Sequence, residues 1–463
     1  MPKAQLTADK LDLFERKPVL QSVLLLAIPT IIGQLVMLFH NLADTFFVGK
    51  LNDPGMVAGI TVSMPATMII NAIVNLFGVG GGSLISRLLG RRELDRARKV
   101  CSVSFYLAIA MTMVFSIVCA VFLDEVCILL GSPEQSLEYS KDYLLWIVCI
   151  GGIPQMLNVL FGHLVRSVGS ARQASVGISL SALVNCLLDP VFILPWGLGL
   201  GVEGAAIATV LANLCSCLYF TVLLMRSRQD SVLSLMPSDF KPDRSMIAEI
   251  AKIGTPAALQ TVLASFSSTI LNNMIAKYGH TALAAAGISR RIDMLPSKIT
   301  LGLSQGVLPL IAYNYAQKNY KRMHQAARIT RVISISFALC CVAVFQIFSS
   351  QLVSLFILDE PTVELGTRFL RILCLGTPLM ALNYLTTTTF QATGQGPQAL
   401  AMSVFRKGLA DIPLVFLLDR IWPMYGLMGV QLAVDILATA LSITLYRMFL
   451  KKLRGELGVK VNF

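Results

Sequence analysis

Twelve long apolar segments dominate this sequence and restrict the folds open to it. Each is long enough to cross a bilayer as an α-helix, which takes about 20 mostly apolar residues. We place them at about 18–48, 56–86, 100–123, 139–161, 172–195, 201–225, 248–276, 283–313, 328–349, 367–389, 397–418 and 426–449. The strands of a membrane β-barrel would instead alternate in polarity over about ten residues. The pattern therefore predicts an all-α membrane protein with twelve transmembrane helices.

The composition excludes the main soluble alternatives. Of the 463 residues, 55% are hydrophobic and only 14% are charged, whereas a soluble domain carries about 25% charged residues. Too little polar surface remains for a nucleic-acid-binding protein, although the formal net charge is +12. We therefore expect the lipid bilayer, and no nucleic acid, as a partner.

The positive charge is concentrated in alternate loops. The loops after even-numbered segments and both tails are rich in Lys and Arg, as in residues 87–99, whereas the loops after odd-numbered segments are poor in them. Basic loops remain in the cytoplasm. We expect a multi-pass protein of the plasma or inner membrane with both termini in the cytoplasm. This distribution also explains the net charge without nucleic acid.

The sequence repeats itself after six segments. Residues 27–30 (AIPT) near the start of the first half correspond to residues 253–256 (IGTP) in the second, and Gly204 corresponds to Gly429. Repeats related by an axis along the membrane normal are a transporter architecture. We expect two six-helix bundles related by such a pseudo-two-fold axis. The predicted divisions are a cytoplasmic tail 1–17, an N-terminal bundle 18–225, a cytoplasmic linker 226–247, a C-terminal bundle 248–450 and a cytoplasmic tail 451–463.

Two carboxylates lie inside apolar segments of the first half. Asp44 follows His40 and Asn41 on one predicted helix face, and Asp189 follows Asn185 by one helical turn. An ionisable group inside a membrane span is costly and marks a functional position. Oxygen ligands suit a hard cation, and two close carboxylates favour proton uptake. The pair predicts a site for Na⁺ or for a proton; hydrogen bonding to backbone at helix breaks is the alternative.

The second half lacks equivalent acidic residues at the matching positions, so we expect ion coupling to lie mainly in the first half. It carries other charged residues within its helices. For Arg290 and Asp293, an internal salt bridge is one interpretation. For Asp411, the interpretation is a structural charge pair with the nearby Arg406 and Lys407.

Polar and flexible side chains inside the apolar segments are candidates for a substrate cavity. Methionine adapts to ligands of different shapes, although scattered core or lipid-facing methionines are the alternative for most of them. The candidates are Gln34, Met37, His40, Met64, Met68, Arg291, Asp293, Gln305 and Asp435. The sequence contains no GxxxxGK[ST] motif, catalytic triad or metal-ligand spacing. We expect no enzyme activity and no cofactor besides the coupling ion.

Several motifs, in order, resemble the multidrug and toxic compound extrusion (MATE) transporters. They are residues 29–34 (PTIIGQ), residues 41–49 (NLADTFFVG), Asn185-x-x-x-Asp189-Pro190 and residues 302–309 (GLSQGVLP). The last two are similar to the DinF-type, MepA-like branch of that family. The resemblance covers about residues 15–450.

This resemblance implies secondary active export by alternating access, driven by inward movement of Na⁺ or H⁺. It assigns the coupling site to Asp44, Asn185 and Asp189, with a hydroxyl group from Thr209; Asn41 joins them by its position beside Asp44. We expect the substrates to be amphipathic or cationic small molecules and the protein to act as a monomer.

Other functions stay open at this point. A lipid-linked precursor flippase would need a cationic cavity, for which the candidates are Arg166, Arg290, Arg291, Lys298 and Arg406. Export of an endogenous metabolite also fits the pattern. A membrane-embedded enzyme fits poorly because no nucleophile is paired with a base, and a passive channel fits poorly because the acidic site is asymmetric.

Overall fold

The computed structural model describes residues 8–49, 54–132, 136–226 and 232–457. Residues 1–7 and 458–463 of the predicted tails, and residues 227–231 of the predicted linker, lie outside these ranges. The described chain is α-helical almost throughout and has no β-strand. Besides the long helices it contains four short helical segments, Ala8–Leu11, Asp12–Arg16, Leu123–Leu129 and Pro237–Asp239.

We number the long helical units of the described chain α1 to α12. Those of the first half are α1 (Val19–Gly49), α2 (Pro54–Gly90), α3 (Leu94–Val121), α4 (Leu137–Leu144, Leu145–Ile150 and Gly152–Ser167), α5 (Ala171–Ile193) and α6 (Gly201–Arg226). Those of the second half are α7 (Arg244–Ala276), α8 (His280–Ala316), α9 (Tyr320–Ser354), α10 (Glu360–Leu373, Cys374–Gly376 and Thr377–Ala392), α11 (Gly396–Val404, Phe405–Ala410 and Asp411–Ile421) and α12 (Tyr425–Leu457). The fourth unit of each half, α4 or α10, is interrupted near its middle, so the two halves share this feature.

Eight of the described helices are individually long and apolar enough to cross a membrane. The two parts of α4, which meet at a bend of 51°, make a ninth span. The remaining units are more polar or interrupted: α11 contains a π-helical turn, and α8 carries Arg290, Arg291, Asp293 and Lys298. Charged side chains are tolerated inside a span where they face the interior of a bundle.

The two halves meet closely along α1, α2, α7 and α8. Gly254 of α7 lies so close to the carbonyl oxygen of Leu76 on α2 that a Cβ atom would overlap it. At Gly306 of α8, a Cβ atom would lie only 2.8 Å from the Cα atom of Ala27 on α1. Both contacts lie toward the helix ends that are joined by basic loops. The halves are therefore closed against each other at this basic-loop end.

The short N-terminal segment 8–16 lies across this closed end. Phe14 is fully buried and stacks on Tyr313 of α8, with ring centroids 4.6 Å apart. The Glu15 carboxylate accepts a hydrogen bond from the Tyr313 hydroxyl at 2.7 Å and lies 3.8 Å from Arg92, which follows α2. The segment thus contacts both halves and strengthens the seal between them.

Candidate functional site

Asp189 and Asn185 lie on the buried face of α5, one helical turn apart. Asp189 is 0% exposed and Asn185 is 1% exposed. The Asn185 Nδ2 donates a hydrogen bond to Thr209 Oγ1 of α6 at 3.2 Å. The structure therefore brings three of the predicted coupling residues together between α5 and α6.

Asp44 of α1 belongs to the same cluster. Its carboxylate is close enough to Asp189 for the two charges to interact electrostatically. Tyr143 of α4, which the sequence did not single out, is close enough to interact with both carboxylates. Asn41 lies almost one turn before Asp44 on an exposed part of α1. Side chains from α1, α4, α5 and α6 thus converge at this point of the first half.

Several oxygen atoms of the cluster have no hydrogen-bond donor within the described chain. They are both carboxylate oxygens of Asp189 and the Oδ1 of Asn185, and all three are buried. Buried acceptors without a donor are rare because leaving them unpaired costs about 1–3 kcal/mol each. A small hard cation takes carboxylate and carboxamide oxygens as ligands, and a proton would convert one carboxylate oxygen into a donor. The donor set therefore suits either ion.

The cluster differs from a typical transition-metal centre. Across the described ranges, no group of three or more His, Cys, Asp or Glu side chains is placed to hold a metal ion. Two carboxylates with an amide oxygen offer fewer and harder ligands than such centres use. The arrangement offers oxygen ligands alone, which suit a hard cation.

A buried column of polar side chains continues from the cluster toward the basic-loop end. Ser181, one turn before Asn185, donates to Asn213 Oδ1 at 2.9 Å, and Asn158 Nδ2 of α4 donates to the same oxygen at 2.8 Å. Ser216 of α6 donates to Asn158 Oδ1 at 2.7 Å. The sequence did not single out these residues, although the four-residue spacing of polar positions along α5 could have indicated the column.

The residues predicted for the substrate cavity differ in burial and in their contacts, and their common role stays a prediction. Gln34 of α1 and Gln305 of α8 meet across the two halves, with the Nε2 of Gln34 3.2 Å from the Oε1 of Gln305. Met64 is 52% exposed, and Arg291 of α8 is also exposed. The half-buried candidates are Met37, His40, Met68 and Asp293.

The interpretation of Arg290 and Asp293 as a salt bridge is wrong. The Arg290 guanidinium donates to Asn272 Oδ1 of α7 at 2.6 Å. Asp293 accepts a hydrogen bond from Thr377 Oγ1 of α10 at 3.2 Å. Although the two residues are one turn apart on α8, their side chains extend toward different neighbouring helices.

Asp411 and Asp435 belong to buried networks of α11 and α12. The charge pair of Asp411 with Lys407 is confirmed, with Nζ 2.9 Å from Oδ2. Arg406 pairs with Asp435 instead, at 2.8 Å from Nε to Oδ1, and Gln431 donates to the other Asp435 oxygen at 2.6 Å. Asp435 is fully buried. The structure places it inside the second bundle, and its role in a substrate cavity stays a prediction.

Comparison with known proteins identifies the family. The sequence model of the MatE family matches residues 29–191 and 256–417, once in each half of the chain. The chain belongs to the MatE family. The two matches agree with the internal repeat and together include most of α1 to α5 and most of α7 to α11.

Relatives similar over most of their length carry a common name. "Multidrug export protein MepA" of Staphylococcus aureus (strain MRSA252) is 32% identical over 422 residues, which is 91% of each chain. The protein of the same name from Staphylococcus haemolyticus (strain JCSC1435) is 33% identical over 423 residues, again 91% of each chain. These matches confirm the MATE, MepA-like resemblance seen in the motifs.

Solved MATE structures have the same fold. "Crystal structure of MATE in complex with MaL6" aligns with a TM-score of 0.91 at 25% identity, covering 97% of this chain and 100% of that one. "Outward-facing conformation of a multidrug resistance MATE family transporter of the MOP superfamily" aligns with a TM-score of 0.90 at 25% identity and the same coverage. The MatE-family chain is thus a multi-pass membrane transporter with twelve transmembrane helices in two six-helix bundles.

Proposed function

We propose that inward movement of Na⁺ or H⁺ through the Asp44–Asp189 cluster drives the export of amphipathic or cationic small molecules by this chain. Its family, its relatives and its fold make the chain a multidrug efflux transporter, and transporters of this family are ion-coupled. The observation that supports the coupling site is the set of buried oxygens at Asp189 and Asn185 that lack donors.

The cluster can couple an ion to a change of conformation. Without an ion, Asp44 and Asp189 repel each other, which disfavours close packing of α1 on α5. Binding of Na⁺ or a proton removes this repulsion and lets α1 move closer. Export follows if the ion and the substrate favour different conformations of one equilibrium, because uptake of the ion then lowers the affinity for substrate.

The membrane potential acting on one coupling ion is sufficient to export a neutral substrate against its concentration gradient. One elementary charge that crosses a potential of 100 mV supplies about 2.3 kcal/mol, which corresponds to about a 50-fold gradient of a neutral substrate. For a monovalent cationic substrate exchanged one for one, the potential does no net work. The chemical gradient of the ion then supplies all of the energy.

The closed basic-loop end supports an outward-facing conformation if this end lies on the cytoplasmic side of the membrane. We place both termini in the cytoplasm, so that the cytoplasmic opening is the closed one and the cavity opens outward. An outward-facing MATE transporter is among the similar structures. We place the boundary between the bundles in the linker 226–247, and we expect the chain to act as a monomer in the bilayer, without enzyme activity or nucleic acid.

A lipid-linked precursor flippase is not favoured. Its cationic cavity would need accessible basic side chains. Arg166 and Arg406 are only 5% and 4% exposed, and Arg406 is neutralised by Asp435. Two of the five candidate arginines and lysines are therefore unable to meet a pyrophosphate group in this conformation.

The coupling ion can be identified in vesicles that contain the purified protein and a fluorescent cationic dye. A Na⁺ gradient at equal pH, and a pH gradient without Na⁺, are imposed separately. We expect one of the two gradients alone to drive movement of the dye against its concentration gradient. If neither does so, the proposed antiport is wrong.

A further inference from the structure

A crevice lies between α9, α10 and α12, near the basic-loop end of the second bundle. Its volume is about 590 Å³, within the range of small-ligand pockets of about 300–1,000 Å³. Its lining residues all come from the second half and do not include Asp44 or Asp189. Its basic lining residues are His324, Arg328, Arg331 and Arg447.

These basic side chains come from two helices. His324, Arg328 and Arg331 share one face of α9 through their four- and seven-residue spacing, and Arg447 extends from α12. Among the described residues, none of the three arginines forms an ion pair with a carboxylate. Charged side chains at membrane depth normally find a partner of opposite sign. The crevice therefore has an uncompensated positive charge.

Two buried donors at the crevice also lack partners. Within the described chain, the Oη of Tyr446 and the Nε of Arg331 form no hydrogen bond, and Tyr446 is only 9% exposed. The Arg331 guanidinium lies 5.0 Å from the centre of the Tyr446 ring, so the two side chains are held side by side. Unpaired buried polar atoms are rare in native structures. An oxygen-rich anion could accept from both.

Apart from the hydroxyl groups of Thr386 and Ser442, the remaining wall of the crevice is apolar, and it continues onto the outer surface of the bundle. It is lined by Ile335, Leu382, Ile443 and Leu450. Ile443 is 41% exposed, and the neighbouring Val332 is 57% exposed. Because exposed apolar side chains on the outside of a membrane bundle face the acyl chains of lipids, the crevice is open to the bilayer. Its lining matches a ligand with an anionic head and apolar chains.

In the first half, the helix equivalent to α9 is α3, and it is covered by a segment of the linker between the two halves. Along α3, the linker segment 232–240 is held by Ser102, which donates to the Met236 carbonyl at 3.1 Å, and by Tyr106, which donates to the Leu235 carbonyl at 2.9 Å. When positions are counted from the first residue of each helix, the part of α9 that corresponds to Ser102 and Tyr106 contains Arg328 and Arg331. In the parts of the chain that the structure describes, this stretch borders the open crevice.

We propose that the crevice binds an acidic phospholipid from the leaflet at the basic-loop end. The phosphate group lies among Arg328, Arg331 and Arg447 and accepts from the Tyr446 hydroxyl, and the acyl chains follow the apolar wall. Guanidinium groups bind phosphate through paired, charge-assisted hydrogen bonds. Basic pockets between transmembrane helices bind anionic lipid headgroups in other membrane proteins. The lipid would connect α9 to α12 and stabilise the second bundle by mass action.

Native mass spectrometry of the full chain tests this site. The protein is reconstituted with an equal mixture of dioleoyl phosphatidylglycerol and dioleoyl phosphatidylcholine, and the lipid retained after detergent extraction is counted. We expect preferential retention of phosphatidylglycerol. The double variant Arg331→Gln, Arg447→Gln should weaken retention by about fivefold for each arginine. The control variant Arg172→Gln, Arg226→Gln removes the same charge from exposed positions at the same end and should retain the lipid.

The exposed Arg447→Gln variant is the second test, since it leaves the contact between Arg331 and Tyr446 intact. It should weaken phosphatidylglycerol retention by about fivefold. Equal retention of the two lipids, or equal loss in the crevice and control variants, would overturn the proposal. Binding of inorganic phosphate to the crevice without any preference for phosphatidylglycerol over phosphatidylcholine would also overturn it, because the crevice would then be a site for a soluble anion. None of these results bears on ion coupling in the first bundle.

Discussion

The Asn185 side chain donates its amide hydrogen to Thr209 Oγ1 at 3.2 Å, and its Oδ1, one helical turn from Asp189, is buried without a donor in the described chain. Thr209 in turn donates to the Ala205 carbonyl at 3.0 Å, which leaves its oxygen free to accept from Asn185. The hydroxyl of α6 therefore fixes which face of the amide is presented to an ion.

Thr209→Val should weaken ion binding, because valine keeps the shape of threonine but removes the acceptor that orients Asn185. Loss of a residue that orients a metal ligand typically costs about 10–100-fold in affinity. We expect a comparable rise in the ion concentration that gives half-maximal dye efflux. Thr209→Ser retains the hydroxyl and should remain close to the unmodified chain. An unchanged half-maximal concentration in Thr209→Val would contradict this role.

Gly254→Ala should hinder closure of the basic-loop end, since a methyl group there overlaps the Leu76 carbonyl. Overpacking of a close contact costs about 1–3 kcal/mol. Asn75 donates to Thr261 at 2.8 Å across the two halves, so cysteines at these two positions should form a disulfide readily in the closed state. We expect slower formation of this disulfide in Gly254→Ala.

The control for this variant is Gly287→Ala on α8, where an added Cβ atom meets open space. It changes the same residue type in a helix of the same half. Disulfide formation should proceed at the normal rate. Equal rates in Gly254→Ala and Gly287→Ala would show that the contact with Leu76 does not limit closure.

The N-terminal seal should be sensitive to acid through Glu15. Partial burial raises the pKa of Glu15, but hydrogen bonds from Tyr313 and Gln317 and the charges of Arg92 and Arg16 outweigh it, so the pKa lies below its ordinary value. A lowered native pKa means that the ionised group stabilises the seal. This contribution is complete above the ordinary glutamate pKa of about 4.3 and is lost as the pH falls through the lowered native value.

Hydrogen exchange of residues 12–17 measures this effect. At pH 7, Glu15→Gln should exchange faster than the unmodified chain, and the difference should shrink as the pH falls below about 4. Asp9→Asn in the same segment is the control and should behave as the unmodified chain does at each pH. A difference between Glu15→Gln and the unmodified chain that is the same at all pH values would contradict the account.

The Arg406–Asp435 pair should contribute strongly to the integrity of the second bundle. Removing one partner of a buried ion pair leaves an uncompensated charge and costs about 3–5 kcal/mol. Asp435→Asn should therefore lower the thermal stability measured by the loss of monodisperse protein on heating. Arg406→Met combined with Asp435→Leu should be less damaging than Asp435→Asn.

The matched control for this pair is Glu364→Gln, which breaks the exposed ion pair with Arg368. Exposed pairs contribute about 0–1 kcal/mol, so the thermal stability should change little. Equal losses of thermal stability in Glu364→Gln and Asp435→Asn would show that burial does not make the Arg406–Asp435 pair more important than an exposed pair.

The acidic cluster of the first half could be predicted from sequence because the cost of placing a charged group in a membrane makes acids in apolar segments conspicuous. Asp44 and Asp189 stand out in otherwise apolar segments, and the motifs around them carry the family resemblance. The hydroxyl and amide groups of Asn158, Asn213 and Ser216 do not stand out, because a single neutral polar residue in a span costs little. Their connection depends on the packing of α4, α5 and α6, which no local pattern specifies.

The incorrect prediction of Asp293 as the partner of Arg290 also arose because helix packing cannot be derived from a local sequence pattern. Its spacing from Asp293 permits a bridge along one helix, but the choice of Asn272 depends on where α7 lies. The contact of Phe14 with Tyr313 could not be predicted from sequence either. The N-terminal segment has the composition of a polar tail, and its packing on α8 depends on the tertiary structure. Helix positions and the repeat were predictable; apart from the conspicuous acidic pair, partners across helices were not.

The central claim is that Asp189 binds the coupling ion, and dye efflux from vesicles tests it most directly. Asp189→Asn preserves the size of the side chain but removes the charge, while Asp124→Asn changes an exposed acid before α4 and serves as the control. We expect Asp189→Asn to bind the dye yet lose gradient-driven efflux down to the level of protein-free vesicles, with Asp124→Asn fully active. Efflux by Asp189→Asn at the rate of the unmodified chain would contradict the account.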